Sequence, residues 1–467
     1  MAKTQTNVSN ITIDKINIES SFGTYDLVPH LEELNIYEDI FSNYLSGHIT
    51  LHDAFNIPYK LPVVAEETID CKIKMEGDDG EELIINPPML HIHELSDRFL
   101  KTNQSQRFSL DLVSAQYMSN VHCRVSKSFT DKTGDEIVRD IWSDYLDDDH
   151  GGLVVEPTKR IEQCIIPNWT PYEAFNWLAG RVQPEDHDYA TNYLYYETMD
   201  GTNFVSLNRL MEAEPVLTFA KEHIVDDPAK VEALTAGFIK VNEIYYERQF
   251  EKIKNINEGQ YSSKLITHDI VRKKILQHDY NGFNEWFNFN HLGPFPPLSN
   301  SETEVKSGFK FRNSYAPPAD PDLAIIDGRQ LSFLTDSAVS LYPKHNKMYA
   351  TNVGHGHNNA VEEWKLRRAG QMVLYDGITM RIECAGLSFI RVGMTVTLNI
   401  LSPETTSRGK EGIGFDKYLT GTYMITAIRH IFNSVRGNIS YKMILEMTKD
   451  GLDDIATSRI PREQGNE

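Results

Sequence analysis

The sequence predicts a mainly β protein with two tandem antiparallel β-barrels, the second discontinuous, and an α/β domain inserted between them. Three observations carry this. From Ile378 to Lys449, Met394, Val396, Leu398 and Ile400 alternate with Thr395, Thr397 and Asn399, the period of two of a strand with one buried face. Tyr423–Ile431 and the run ISYKMILEM continue the pattern, with Gly386 and Gly393 as punctuation. The same texture occurs from Leu61 to Ala115, where Ile69, Cys71 and Ile73 alternate with Asp70, Lys72 and Lys74. The span from Ile92 to Phe108 and the span from Ile425 to Tyr441 both cover 16 positions. Loops absorb length changes while strands keep register, so the two stretches align as repeats, Ile92 on Ile425 and Phe108 on Tyr441.

In chain order, Ile11, Ile13, Ile16 and Ile18 begin a strand, LEELNIYEDIFSNYL reads as strand and turn, and Ile49 and Leu51 add a further strand of the first barrel, 8–125. The insert, 126–217, has a helical texture. Thr133 and Glu136 form a capping box ahead of Ile137, Val138, Ile141 and Tyr145. Thr170, Pro171 and Glu173 open a second helix, with Ala174, Trp177 and Leu178 on its buried face. NYLYYETMDGTNFVSL reads as a hairpin turning at Asp200-Gly201. Segment 218–280 holds a helix start at Glu222–Ala233 and strands at Phe238–Tyr246 and Gln260–Ile275 leading into the second barrel. Segment 281–359 reads as an irregular excursion and linker, rich in Asn, Pro and aromatics up to Asp322. A helix at Ala360–Met372 leads the second barrel, 360–452, and 453–467 is a polar tail.

Composition narrows the function. A net charge of −21, from 46 basic and 67 acidic residues, argues against a nucleic-acid binder and against docking on anionic lipid. Cys71, Cys123, Cys164 and Cys384 form no CxxC pair, as expected of a reducing compartment. No run approaches the ~20 apolar residues of a membrane span, and the start has no apolar core like a signal peptide, so a soluble chain made in a cytoplasm is expected.

No catalytic, cofactor or metal residue is assigned. His91 and His93 alternate on a strand without a third ligand at a recognisable spacing, and His355 and His357 lie in a Gly/Asn loop; solvated or structural roles fit both pairs. Asp147–Asp149 and Glu185-Asp186-His187-Asp188 lack the spacing of a calcium loop. The Gly-rich run at Gly409 lacks the Lys-Ser/Thr of a phosphate cradle.

Several stretches resemble the central baseplate hub proteins of contractile-tailed, T-even-type bacteriophages, related to late-control protein D and to the spike proteins of type VI secretion. They are LNIYEDIFSNYLSGHITLHDAFNIPYKLPVVAEETI, the insert from IIPNWTPYEAFNWLA to YYETMDG, YSSKLITHDIVRKKI, TGTYMITAIRHIF and YKMILEMTKDGL. The likeness runs from about Ile11 to Leu452 and departs at Asn281–Asp322. It implies a homotrimer whose six barrels form a pseudo-sixfold ring. The implied partners are a central spike, a tail tube, baseplate wedge proteins and a tape-measure protein, with DNA passing through unbound. It implies no cofactor, no membrane and a place in the virion tail baseplate after assembly in the host cytoplasm. The alternatives are a tail-associated murein or polysaccharide hydrolase with paired carboxylates and a β-rich receptor-binding module, which should carry fibrous repeats or a lectin-like domain.

Overall fold

The computed structural model describes residues 11–76, 82–146, 151–187, 192–221, 238–249, 251–260, 262–294, 310–312, 325–327, 338–344, 361–375, 377–400, 415–416, 418–435 and 438–452. The first unit comprises β1 (Ile11–Ser20), β2 (Gly23–Asp26), β3 (Leu31–Asp39), β4 (Ser46–Asp53), β5 (Thr68–Glu76), β6 (Glu82–Ile85), β7 (Leu90–Thr102) and β8 (Ser105–Ser114). The insert holds β9 (Val125–Thr133), β10 (Leu153–Val155), β11 (Ile161–Trp169), β12 (Tyr193–Thr198) and β13 (Gly201–Ser206). Then come β14 (Thr218–Lys221), β15 (Ile239–Gln249), β16 (Ser262–Asp269), β17 (Lys274–Asn281), β18 (Lys310–Arg312), β19 (Ile325–Asp327) and β20 (Val339–Pro343). The chain closes with β21 (Ile378–Ala385), β22 (Thr395–Asn399), β23 (Gly421–Val435) and β24 (Asn438–Lys449).

The second unit is a closed barrel. Its six strands run β14-β15-β21-β24-β23-β22 and return to β14. The first unit has the order β1-β5-β7-β8-β4-β3. Placed side by side, β3, β4, β5, β7 and β8 occupy the stations of β15, β21, β22, β23 and β24, and β4, β5, β7 and β8 have the same neighbours within their unit as their counterparts. The exception is the opening strand: β1 is antiparallel to β5, whereas β14 is parallel to β22. The first unit also closes differently. Among the described residues β1 and β3 share no ladder. Instead β2 pairs with the end of β1, and the Leu27 N–H donates to the Ile16 carbonyl at 2.8 Å. The outer edge of β3 is given to β23 of the second unit, from Glu33↔Asn433 to Asp39↔Ala427.

The register of the repeat follows the sequence alignment on β5 and β7 and departs from it on β8. Leu90 and Ile69 pair as Tyr423 and Val396 do, and a one-residue bulge follows Ile92 as one follows Ile425. However, Ile92 faces Leu112 while Ile425 faces Met447. Phe108 therefore corresponds to Met443, not Tyr441, because the β23–β24 hairpin is two residues longer. A shift of two keeps every side chain on its face, so the alternation could not reveal it. Both units share one apolar core, from Ile16, Ile36 and Phe108 to Val396, Ile425 and Leu445.

The insert has its own core, with Val138, Ile141, Phe175, Leu178, Tyr193 and Phe204 among its members. Glu173 accepts from the Thr170 N–H at 2.8 Å, and Thr170 Oγ1 accepts from the Glu173 N–H at 3.2 Å, which is the capping box expected. Glu136 accepts likewise from the Thr133 N–H at 3.0 Å. The hairpin turn falls one residue earlier than expected, at Met199-Asp200, since Thr198 pairs with Gly201. Gly201 has φ +136, and a Cβ there would lie 2.9 Å from the Gly151 carbonyl.

The Gln260–Ile275 stretch does not enter the second barrel. β16 lies between β17 and the parallel β20, and this small sheet packs on the helix Val361–Leu374 through Leu265, Tyr280, Val361 and Leu366. An alternating pattern specifies a buried face without specifying which sheet the strand joins. Nor is all of 281–359 irregular: β20 lies within it, and Trp286 and Leu292 are buried. His291 Nδ1 lies 2.6 Å from Asp450 Oδ2, and the Leu292 N–H donates to Asp450 Oδ1 at 2.9 Å, tying this segment to the end of β24. The expected helix start at Glu222–Ala233 lies outside the described residues.

Candidate functional site: the junction beneath the shared strand

β23 is 15 residues long and serves both units. Its first part closes its own barrel against β22, its later part pairs with β3, and β24 follows its other edge. Arg429 reinforces the crossing on the outer face, donating from Nε to Asn35 Oδ1 at 2.9 Å and from Nη2 to Glu33 Oε1 at 3.2 Å.

Beneath this crossing lies a buried polar cluster. β3 turns Leu34, Ile36 and Glu38 inward, so the period of two carries a carboxylate into the core. Glu38 accepts from the Met199 N–H at 2.9 Å and the Val392 N–H at 3.2 Å, and Arg391 Nε stands 3.8 Å away. The Arg391 guanidinium also donates to Asp200 Oδ1 at 2.8 Å and to the carbonyls of Ser388 at 2.8 Å and Ile390 at 2.9 Å. Three bodies thus meet on one ion pair: β3 of the first unit, the Met199-Asp200 turn of the insert, and the Ser388–Val392 loop of the second unit.

Burial pushes the Glu38 carboxyl up to about 7, with Arg391 and the two amides pulling the other way. His430, fully enclosed on β23, is pushed down to about 3 by burial and by Arg391, so its ring is neutral. Its Nδ1 lies 2.7 Å from the Tyr441 hydroxyl, and its Nε2 lies 4.0 Å from Glu38. The Tyr441 ring stacks on Phe432 and lies over Gly386, where a Cβ would sit 1.9 Å from it. Chemically this is a pin: Glu38 and His430 are fully enclosed, Asp200 alone reaches the surface, and every charge is set against another part of the chain. The signal was present in the sequence, as Glu38 continues the Leu34, Ile36 alternation.

The residues weighed from sequence lie elsewhere. His93 is the extra residue of the β7 bulge and opens on a polar groove of about 560 Å³ with His48 and Asp111, while His91 sits opposite Val113. In that groove Asp111 accepts from Ser96 at 2.7 Å and lies 2.6 Å from His48 Nδ1. Burial raises its carboxyl, but these hydrogen bonds outweigh it and the net shift is downward. His187 reaches Glu212 at 3.8 Å. His355, His357, Asp147–Asp149, Asp188 and the run from Gly409 to Gly414 lie outside the described residues. Among the described residues no three His, Cys, Asp or Glu side chains converge as a metal-binding set. All four cysteines are free, and burial pushes the Cys164 thiol, beside a cavity of about 620 Å³, up to about 11.

No protein-family model matches this chain, and no curated protein matches it. Among solved structures it is similar to a 43 kDa tail protein of prophage MuSo2 from Shewanella oneidensis, with a TM-score of 0.49 and 10% identity over 94% of this chain and 99% of that one. It is also similar to a tail protein from Neisseria meningitidis, with a TM-score of 0.48 and 11% identity over 95% and 98%. A Francisella PdpA-VgrG complex contains a chain matched with a TM-score of 0.45 and 10% identity, covering 95% of this chain and 59% of that one.

Proposed function

We propose that this chain is the structural central hub of a contractile-tail baseplate, a ring-building protein that joins a tail tube to a central spike and lets DNA pass. One observation carries the reading: two six-stranded units of the same connectivity stand in one chain, joined by unlike edges, β23 of one and β3 of the other. A contact between unlike surfaces, repeated, makes a ring wherever the rotation closes. Three chains then supply six barrels, and a ring of six similar barrels in three chains presents threefold and near-sixfold symmetry together. The sequence resemblance supplies the tail context, including the tube, spike, wedge and tape-measure partners and the place in the virion. Among the described residues no helix is long and apolar enough to cross a membrane.

The role is architectural, without a catalytic step. The division 8–125, 126–217, 218–280, 281–359, 360–452 and 453–467 is kept with one change: β16, β17, β20 and the helix Val361–Leu374 form a small unit of their own. The charge of −21 supports a ring whose inner surface is predominantly acidic and repels the phosphate backbone over about one Debye length, ~8 Å. The test is the solution mass of the purified protein, which should be three times the 53.4 kDa chain. A monomer at high concentration overturns the ring, salt-sensitive DNA binding overturns the acidic bore, and murein hydrolysis by the purified chain overturns the architectural role.

A further inference from the structure

The repeat leaves two strand edges without the partner that their counterparts have. In the second unit, β23 leaves its own barrel after Ile425 and continues along β3. In the first unit, β7 leaves β5 after Ile92, and among the described residues no strand pairs with its outer edge beyond that point. The counterpart of β3 is β15, and beyond Val241 its β14-facing edge has no strand beside it among the described residues.

We propose that the outer edge of β7 in one copy of this chain pairs antiparallel with the free edge of β15 in a second copy, repeating between chains the contact that β23 and β3 make within one. The register follows from the repeat. Bulges between Leu31 and Glu33 on β3 and between Val241 and Glu243 on β15 match, which sets Glu33, Leu34 and Asn35 on Glu243, Ile244 and Tyr245. Leu95 faces Leu110 as Ile428 faces Leu445; one further bulge in β7 between Ser96 and Phe99 then sets Phe99 on Ile431 and Leu100 on Phe432. Within the chain, Ile431 faces Asn35, Phe432 faces Leu34 and Asn433 faces Glu33. Between chains, Phe99 therefore faces Tyr245 and Leu100 faces Ile244, and beyond a second bulge at Lys101 it is Thr102 that faces Glu243.

Chemistry and exposure fit this occupant. The two apolar pairs are aromatic on aromatic and aliphatic on aliphatic, combinations that stabilise facing strands. Phe432 and Leu34, which already have their partner, are 0% and 1% exposed, whereas Leu100 is 77%, Phe99 49% and Tyr245 42% exposed. Open edges with exposed apolar side chains invite unwanted pairing unless covered, and a like copy covers both at once.

The inference deepens the ring reading and rests on it only for closure. The experiment uses the full chain with Cys123 and Cys164 changed to Ser, carrying Phe99→Cys with Tyr245→Cys or Leu100→Cys with Ile244→Cys. Directly facing residues lie within the Cα range of a disulfide. Mild oxidation should link chains into multiples of 53.4 kDa for both pairs and not for the misregistered pair Phe99→Cys with Gln249→Cys. Leu100→Glu, at an exposed position that leaves circular dichroism unchanged, should weaken self-association about tenfold by light scattering. A closed oligomer whose matched pairs link no better than the misregistered pair overturns the ladder and leaves the ring standing. Matched links that build an open-ended series of sizes overturn the ring and keep the ladder. A chain that stays at 53.4 kDa without links overturns the proposal.

Discussion

Glu38→Gln should remove a specific pH dependence of stability. In the folded chain the Glu38 carboxyl is raised from 4.5 to about 7. A group raised in this way favours the fold fully below pH 4.5 and loses that contribution as pH rises through 7, because the unfolded chain gives up its proton first. A carboxyl raised from 4.5 to about 7 favours its protonated fold by roughly 3 kcal/mol. About 1 kcal/mol of this falls between pH 6 and pH 8, above the pI near 5.2. His430 works in the opposite sense: with its pKa pushed to about 3, its contribution is complete above pH 6.5 and is lost as pH falls toward 3. The two trends overlap between pH 4.5 and 6.5, so the wild-type profile alone cannot separate them, while the difference from the variant can. The assay is the denaturant midpoint of both proteins at several pH values. The difference, wild type minus variant, should fall by about 1 kcal/mol from pH 6 to pH 8. Parallel profiles would show that Glu38 titrates no differently in the fold, and the buried junction would not have the electrostatics ascribed to it.

Gly386→Ala should destabilise the second barrel by about 1–3 kcal/mol, since its Cβ would fall 1.9 Å from the Tyr441 ring, and Gly386→Ala with Tyr441→Leu should recover part of that loss in thermal unfolding. Thr170→Ala removes the acceptor of the Glu173 N–H and should cost the insert about 1 kcal/mol; an unchanged unfolding midpoint for the insert would argue against the cap.

The sequence alone determined several strands of the two units and which of their faces are buried. Ile69, Cys71 and Ile73 face the core as Val396 and Leu398 do, and the capping residues Thr133 and Thr170 stand at the helix starts. These are local properties, set by two-residue and 3.6-residue periods and by side chains that bond their own neighbours. Tertiary structure decided which edge meets which. It sent β16 and β17 to a sheet of their own, gave the edge of β3 to β23 instead of β1, and slid β24 by two residues against its counterpart. It also moved the hairpin turn to Met199-Asp200, where the Met199 N–H meets Glu38 and Asp200 meets Arg391. Periodicity reports the face a side chain takes and is blind to shifts of two and to the choice of neighbour. Contacts such as Arg429 to Asn35, joining distant parts of the chain, make that choice.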